Sequence, residues 1–143
     1  MITLGLDLGR RRIGVAICDL PSLGARPLTT LMRTSPARDL ARLRALVAER
    51  EVRRIVLGLP LNMDGSEGPS ARHARRFADR LSRELGLPVE LYDERLTSFE
   101  AQSRLEGSSM NRDRRKLMVD QVAAALILES WLAAHKDDES VRG

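Results

Sequence analysis

Ile2-Thr3-Leu4-Gly5-Leu6-Asp7-Leu8-Gly9, then Arg10-Arg11-Arg12, then Ile13-Gly14-Val15-Ala16-Ile17-Cys18: this opening stretch decides how the chain folds. Two apolar runs of strand length, joined by a short basic turn, make an antiparallel hairpin over residues 2–8 and 12–19. Side chains alternate across a strand, so Ile2, Leu4, Leu6 and Leu8 share one face. Asp7 lies on the other face with Thr3, Gly5 and Gly9. A carboxylate among strand residues is costly unless a cation or several hydrogen bonds compensate it. The glycines beside it leave a floor that a ligand or another backbone can approach closely. Asp7 therefore marks a candidate site.

Outward from the hairpin, the pattern is that of an α/β chain. A third strand runs from about Arg26 to Arg33. Thr34 or Ser35 caps a helix with Pro36 at its first position, carrying the apolar stripe Leu40, Leu43, Leu46 and Val47. Arg54–Leu59 reads as a buried strand stopped by Pro60, and Asn62–Pro69 as a loop. A helix from about Ser70 to Leu85 turns Ala74, Phe77, Ala78, Leu81 and Leu85 inward, and Gly86 ends it. Val89–Asp93 is a fifth strand. Thr97 or Ser98 caps a helix to about Leu105, residues 106–116 form a basic loop, and a last helix runs from near Asp113 to His135. Strand, strand, strand, helix, strand, helix, strand, helix, helix fits a hairpin and third strand joined to a parallel βαβ part. One domain over 1–135 with a polar tail at 136–143 is the simplest division.

Composition narrows the class. The chain has 143 residues, 43% hydrophobic and 31% charged, and no apolar run approaches the roughly 20 residues that span a bilayer. With no signal-peptide pattern and a single cysteine, Cys18, a cytoplasmic protein is expected. The net charge is +4, and Lys116 and Lys136 are the only lysines among 24 basic residues. Arginine suits phosphate recognition, although a GC-rich genome would produce the same bias. Three percent aromatic residues argues against base stacking on an aromatic platform.

Two further acids stand as companions to Asp7. Glu94 directly follows the fifth strand, and ligands of open α/β sheets gather at the carboxyl ends of strands. On the last helix, Ala124, Ile127 and Trp131 fall within about 40° of Asp120 at 100° per residue, which puts Asp120 on the core-facing stripe. Core-facing acids far apart in sequence repel unless something positive lies between them. Magnesium or manganese is the economical answer, because both take hard oxygen ligands. Zinc is not, since one cysteine and two histidines cannot build its usual structural site. Each acid has a plainer alternative. Asp7 could pair with one of Arg10–Arg12, Glu94 with Arg95, and Asp120 could cap a restarted helix. His73 and His135 read as ordinary surface histidines.

At these residues the chain resembles a known family. Gly5-Leu6-Asp7-Leu8-Gly9 with Arg12-Ile13-Gly14-Val15-Ala16, then Gly58-Leu59-Pro60-Leu61-Asn62-Met63-Asp64-Gly65, Asp93-Glu94-Arg95-Leu96-Thr97-Ser98 and Val119-Asp120-Gln121-Val122-Ala123-Ala124 closely resemble the YqgF family. Its members are described as Holliday-junction resolvases and as pre-16S ribosomal RNA nucleases. The four blocks occur in the family's order and span residues 2 to about 132. The resemblance implies a ribonuclease H-like fold, a five-stranded mixed sheet in order 3-2-1-4-5 flanked by helices. It also implies metal-dependent phosphodiester hydrolysis in the cytoplasm, maturing the 5′ end of 16S ribosomal RNA. Asp7, Glu94 and Asp120 match the family's acidic triad, and Lys116 with the loop before it matches a basic segment that meets substrate. Leu117 departs from the related junction resolvases, which often carry a fourth acid one turn before Asp120.

The expectation is therefore a nuclease using Asp7, Glu94 and Asp120 to hold Mg2+ or Mn2+. Arg12, Arg95, Arg114, Arg115 and Lys116 would bind the phosphates of structured RNA. The same chemistry on branched DNA, by a homodimer with two suitably spaced sites, is the first rival. An RNA-binding factor for ribosome assembly or transcription that cuts nothing is the second. A sugar-kinase-like ATPase shares the Asp-Leu-Gly hairpin but needs a second domain that 143 residues scarcely supply.

Overall fold

The opening hairpin forms the middle of a five-stranded sheet. The computed structural model describes residues 1–96 and 119–136 with their side chains, and 112–118 as helix backbone. β1 (Thr3–Leu8) and β2 (Arg12–Cys18) are followed by a short 3-10 turn at Pro21–Leu23 and by β3 (Arg26–Met32). α1 (Pro36–Arg50), β4 (Arg54–Leu59), α2 (Pro69–Leu85) and β5 (Val89–Asp93) alternate after them. A 3-10 turn at Glu94–Leu96 and the helix α3 (Arg112–Ala134) complete the described elements. The sheet order is β3-β2-β1-β4-β5. The β1/β2 and β2/β3 pairs are antiparallel and the β1/β4 and β4/β5 pairs parallel, as expected of a hairpin meander joined to a βαβ part.

Local chemistry sets the boundaries. Ser35 Oγ accepts the backbone N–H of Arg38 at 3.2 Å, and Pro36 opens α1. α2 starts at Pro69, one residue before the sequence reading, and stops at Gly86, whose φ of 66° lies in the left-handed region. β4 and β5 have the boundaries read from the sequence. α3 starts at Arg112, so the end of the expected 106–116 loop is helical. The expected helix to Leu105, the rest of that loop and residues 137–143 lie outside the described residues.

The two faces of the sheet carry different side chains. Leu4, Leu6, Ile13, Val15, Ile17, Ile55 and Leu57 face α1 and α2, packing on Leu40, Leu43, Ala74, Phe77 and Leu81. The other face meets α3, where Ala16, Cys18 and Val56 pack against Ala124, Ile127, Leu128 and Trp131. Gly5, Gly14 and Gly58 lie on this second face, and a Cβ at any of them would collide with α3 or Glu94. The floor beside Asp7 is thus taken by another backbone. Small residues let the helix descend onto the sheet, and Asp7 stands beside Ala123 and Ile127 of that helix.

Candidate active site

Asp7 is the fifth residue of β1, half-buried on the α3 face. Gly14 of β2 stands opposite it in the antiparallel ladder. On its other side the parallel register runs Leu6 to Leu57, so Gly58 comes next in line. Glu94 leaves the end of β5 and folds back across Gly58, where an added Cβ would lie 2.5 Å from its Oε1 and 2.9 Å from its Cγ. This brings Glu94 into a side-chain hydrogen bond with Asp7. The two acids line a depression of about 170 Å³ together with Ala123, Leu126 and Ile127 of α3.

The electrostatics follow from that pairing. Burial pushes the Glu94 carboxyl up to about 7, with the Asp7 charge and the Asp7 hydrogen bond adding to the effect. Asp7 is raised as well, chiefly by burial, with the Asp120 charge adding and the Glu94 hydrogen bond opposing. Two acids that cannot both ionise cheaply share a proton, or a cation in its place.

Asp120 is beside the pair but turned from it. Its backbone carbonyl rests over Gly14, while its Oδ2 accepts a hydrogen bond from Arg12 Nε at 3.0 Å. Arg12 therefore pairs with Asp120 rather than Asp7. Asp120 is no helix cap either, since α3 begins two turns earlier at Arg112. Arg95 forks onto Asp93, with NH2 to Oδ2 at 2.7 Å and Nε to Oδ1 at 3.0 Å, and donates NH1 to the Met63 carbonyl at 3.3 Å. It holds the Asp93 carboxyl below its ordinary range and braces the 61–68 loop, leaving Glu94 to Asp7. The side chains of Arg114, Arg115 and Lys116 lie outside the described residues.

Asp7 and Glu94 fit a small hard cation, because they offer carboxylate oxygens and carry raised pKa values that a positive charge would relieve. Among the described residues no three His, Cys, Asp or Glu side chains stand together as a ready cage. Asp120 would have to leave Arg12 to become a third ligand. A larger hollow of about 320 Å³ lies elsewhere, by Pro21, Gly24 and Lys136. Its lining acid, Glu129, already accepts the backbone N–H of Ala25 at 2.6 Å.

Arg33 was not singled out in the sequence. Its NH1 donates to the Gly9 carbonyl at 2.8 Å and its NH2 meets His73 Nε2 at 3.0 Å, while its backbone N–H donates to the Arg11 carbonyl. It ties the turn after Asp7 to β3 and α2. The signal was the meander register, since pairing Arg12 with Met32 puts residue 33 beside that turn. His73 and His135 are half-buried and engaged, the latter stacked on Trp131 at 4.3 Å between ring centroids.

The match to known proteins covers this whole arrangement. The family model described as "RuvX: Holliday junction resolvase" matches residues 1–134. This chain belongs to the RuvX family. A relative from Myxococcus xanthus is 51% identical over 140 residues, covering 98% of this chain and 93% of its own. One from Synechococcus elongatus is 48% identical over 134 residues, covering 94% and 90%. Both bear the name "Putative pre-16S rRNA nuclease". Among solved structures, Thermus thermophilus RuvC in complex with a Holliday junction superposes with a TM-score of 0.64 at 16% identity, over 96% of this chain and 97% of that one. Fowlpox virus resolvase with its junction DNA gives 0.57 at 12%, over 94% and 98%. The RuvX chain thus shares the ribonuclease H-like fold of these resolvases.

Proposed function

We propose that this protein is a metal-dependent nuclease that acts on structured RNA in the cytoplasm, in 5′-end processing of precursor 16S ribosomal RNA. The observation that carries the reading is the hydrogen-bonded pair Asp7 and Glu94, brought together from β1 and the end of β5 in one open depression. Near 50% identity to proteins named for pre-16S rRNA supports the substrate.

Asp7, Glu94 and Asp120 would hold Mg2+ or Mn2+. When bound, the metal supplies activation of the attacking water and charge neutralisation at the leaving oxygen. Asp7 sits on the central strand and fixes the position of the site. Glu94, whose carboxyl shares a proton with Asp7 in the free protein, would offer its oxygens as a ligand once that proton is released. Arg12, exposed at the start of β2, and Arg95, exposed beside the loop it braces, would meet phosphate oxygens, and Arg114, Arg115 and Lys116 would join them in holding the nucleic acid.

Asp7→Asn and wild type, each offered precursor 16S rRNA, generic RNA and a four-way DNA junction with and without Mn2+, test the reading. Metal-dependent trimming of the precursor that Asp7→Asn loses is expected. Full activity of Asp7→Asn, or RNA binding with no cleavage by wild type, would reject it. The family's description as a Holliday junction resolvase favours a second reading, in which a homodimer nicks the junction symmetrically. Preference for the junction over the precursor would select it.

A further inference from the structure

The backbone makes Asp120 and Arg12 a two-position device. The Asp120 carbonyl lies over Gly14, and Gly14 stands opposite Asp7 in the ladder. The Asp120 backbone is therefore fixed close to Asp7 whichever way its side chain turns. Its charge is already felt at Asp7. The carboxylate nevertheless points to Arg12, whose Nε is 3.0 Å from Oδ2. Side-chain exposures of 51% for Arg12 and 26% for Asp120 mean that the bond can open without stranding a charge in the core. Arg12 holds the carboxylate through Nε, and a guanidinium is equally suited to a phosphate, which it can grip with two N–H groups in a fork.

We propose that Arg12 is a latch on Asp120. In the free protein it keeps the third carboxylate away from Asp7 and Glu94. A backbone phosphate of arriving nucleic acid draws it off, and Asp120 then turns to the divalent cation held by the other two acids. This rests on the metal-nuclease reading above. The site is completed only when substrate is in place, so cation and nucleic acid each strengthen the binding of the other by the same factor.

Manganese binding without nucleic acid tests the latch, read from the electron paramagnetic resonance signal of free Mn2+ at about pH 8, above the value of about 7 to which Glu94 is raised. The proteins are wild type, Arg12→Gln, Asp120→Asn, the double variant, and Arg11→Gln as a control for loss of one nearby charge. Arg12→Gln should bind Mn2+ about two- to fivefold more tightly than wild type, the range an exposed ion pair allows. Arg11→Gln should give less than half that gain, and Arg12→Gln should give none in the Asp120→Asn background. Equal or weaker binding by Arg12→Gln, or a gain that survives Asp120→Asn, overturns the latch. A lowered melting temperature with unchanged Mn2+ affinity also overturns it, since the pair would then only fasten α3 to β2. If neither wild type nor Arg12→Gln binds Mn2+, the metal reading itself falls and the latch with it. That outcome differs visibly from equal binding by both, which removes the latch alone.

Discussion

A methyl group at Gly14 would overlap the carbonyl oxygen of Asp120. The atom in the way is helix backbone, which cannot swing aside as a side-chain tip can, so α3 must lift from β2 to admit it. Gly14→Ala should cost about 2–3 kcal/mol of stability, at the upper end for overpacking a well-filled interior. Urea unfolding followed by the fluorescence of Trp131, the sole tryptophan, measures it. A loss below about 0.5 kcal/mol would mean that α3 is not seated on the sheet as described.

The acid pair should make the metal-free protein less stable as pH rises. Glu94 is raised from an ordinary 4.5 to about 7 in the folded chain. Between those values the folded state keeps a proton that the unfolded state has lost, so unfolding becomes easier with each step up in pH. The contribution is fully present below about 4.5 and gone above about 7, and the raised Asp7 adds to it with the same sign. Because the site is open to water, roughly 1–2 kcal/mol is expected, less than a fully shielded pair would give. Melting temperatures from pH 4.5 to 8 in chelator should fall, and Glu94→Gln should flatten the slope. Added Mn2+ should restore stability more at pH 8 than at pH 5.

Most of this architecture is legible in the sequence, for physical reasons that stop at the site. The run Arg54–Leu59 is buried throughout and ends at Pro60, so nothing but a central strand accommodates it. The stripe Asp120, Ala124, Ile127 and Trp131 needs only helical periodicity, and the last three are buried as that stripe requires. Gly5 and Gly9 announced a close approach without saying whether ligand or backbone would make it, since a missing Cβ has no chemical preference. Ion-pair partners were the least legible feature. Arg12 could reach several acids, and its bond to Asp120 spans 108 positions of chain, so only the descent of α3 onto Gly14 decides it. Arg95 turned to Asp93 because both leave the same strand end, where the fork closes locally.

Asp39 anchors the far side of the hairpin turn. Only 2% exposed, it accepts Thr34 N–H at 3.1 Å and Arg42 NH2 at 2.7 Å, with Arg33 Nε at 3.9 Å. Removing the carboxylate leaves a backbone donor and two guanidinium groups without their anion. Asp39→Ala should therefore cost about 2–3 kcal/mol, reduced from a fully buried pair because Arg42 reaches solvent. Arg33 would then lose part of its hold near the Gly9 carbonyl, so amide exchange across residues 9–12 should quicken. Unchanged exchange there would separate Asp39 from the turn that follows Asp7.

Gly58 offers the sharpest separation of stability from activity. A Cβ there would press on Glu94 Oε1 and Cγ and, at 2.6 Å, on Ile127 Cδ1. These are outer atoms of flexible side chains, so they can shift where the Asp120 carbonyl cannot. Gly58→Ala should thus cost about 1 kcal/mol, at the low end for overpacking. Glu94 is the group displaced, and its hydrogen bond to Asp7 is what the shift breaks. On the catalytic role proposed for Glu94, a misplacement of about 1 Å can cost on the order of 100-fold, so Gly58→Ala should lower kcat by at least tenfold while leaving substrate affinity near that of wild type. The pH slope of stability should flatten as well, since Glu94 no longer shares a proton with Asp7. Retained kcat together with an intact slope would show that Glu94 does not cross Gly58 in the working enzyme.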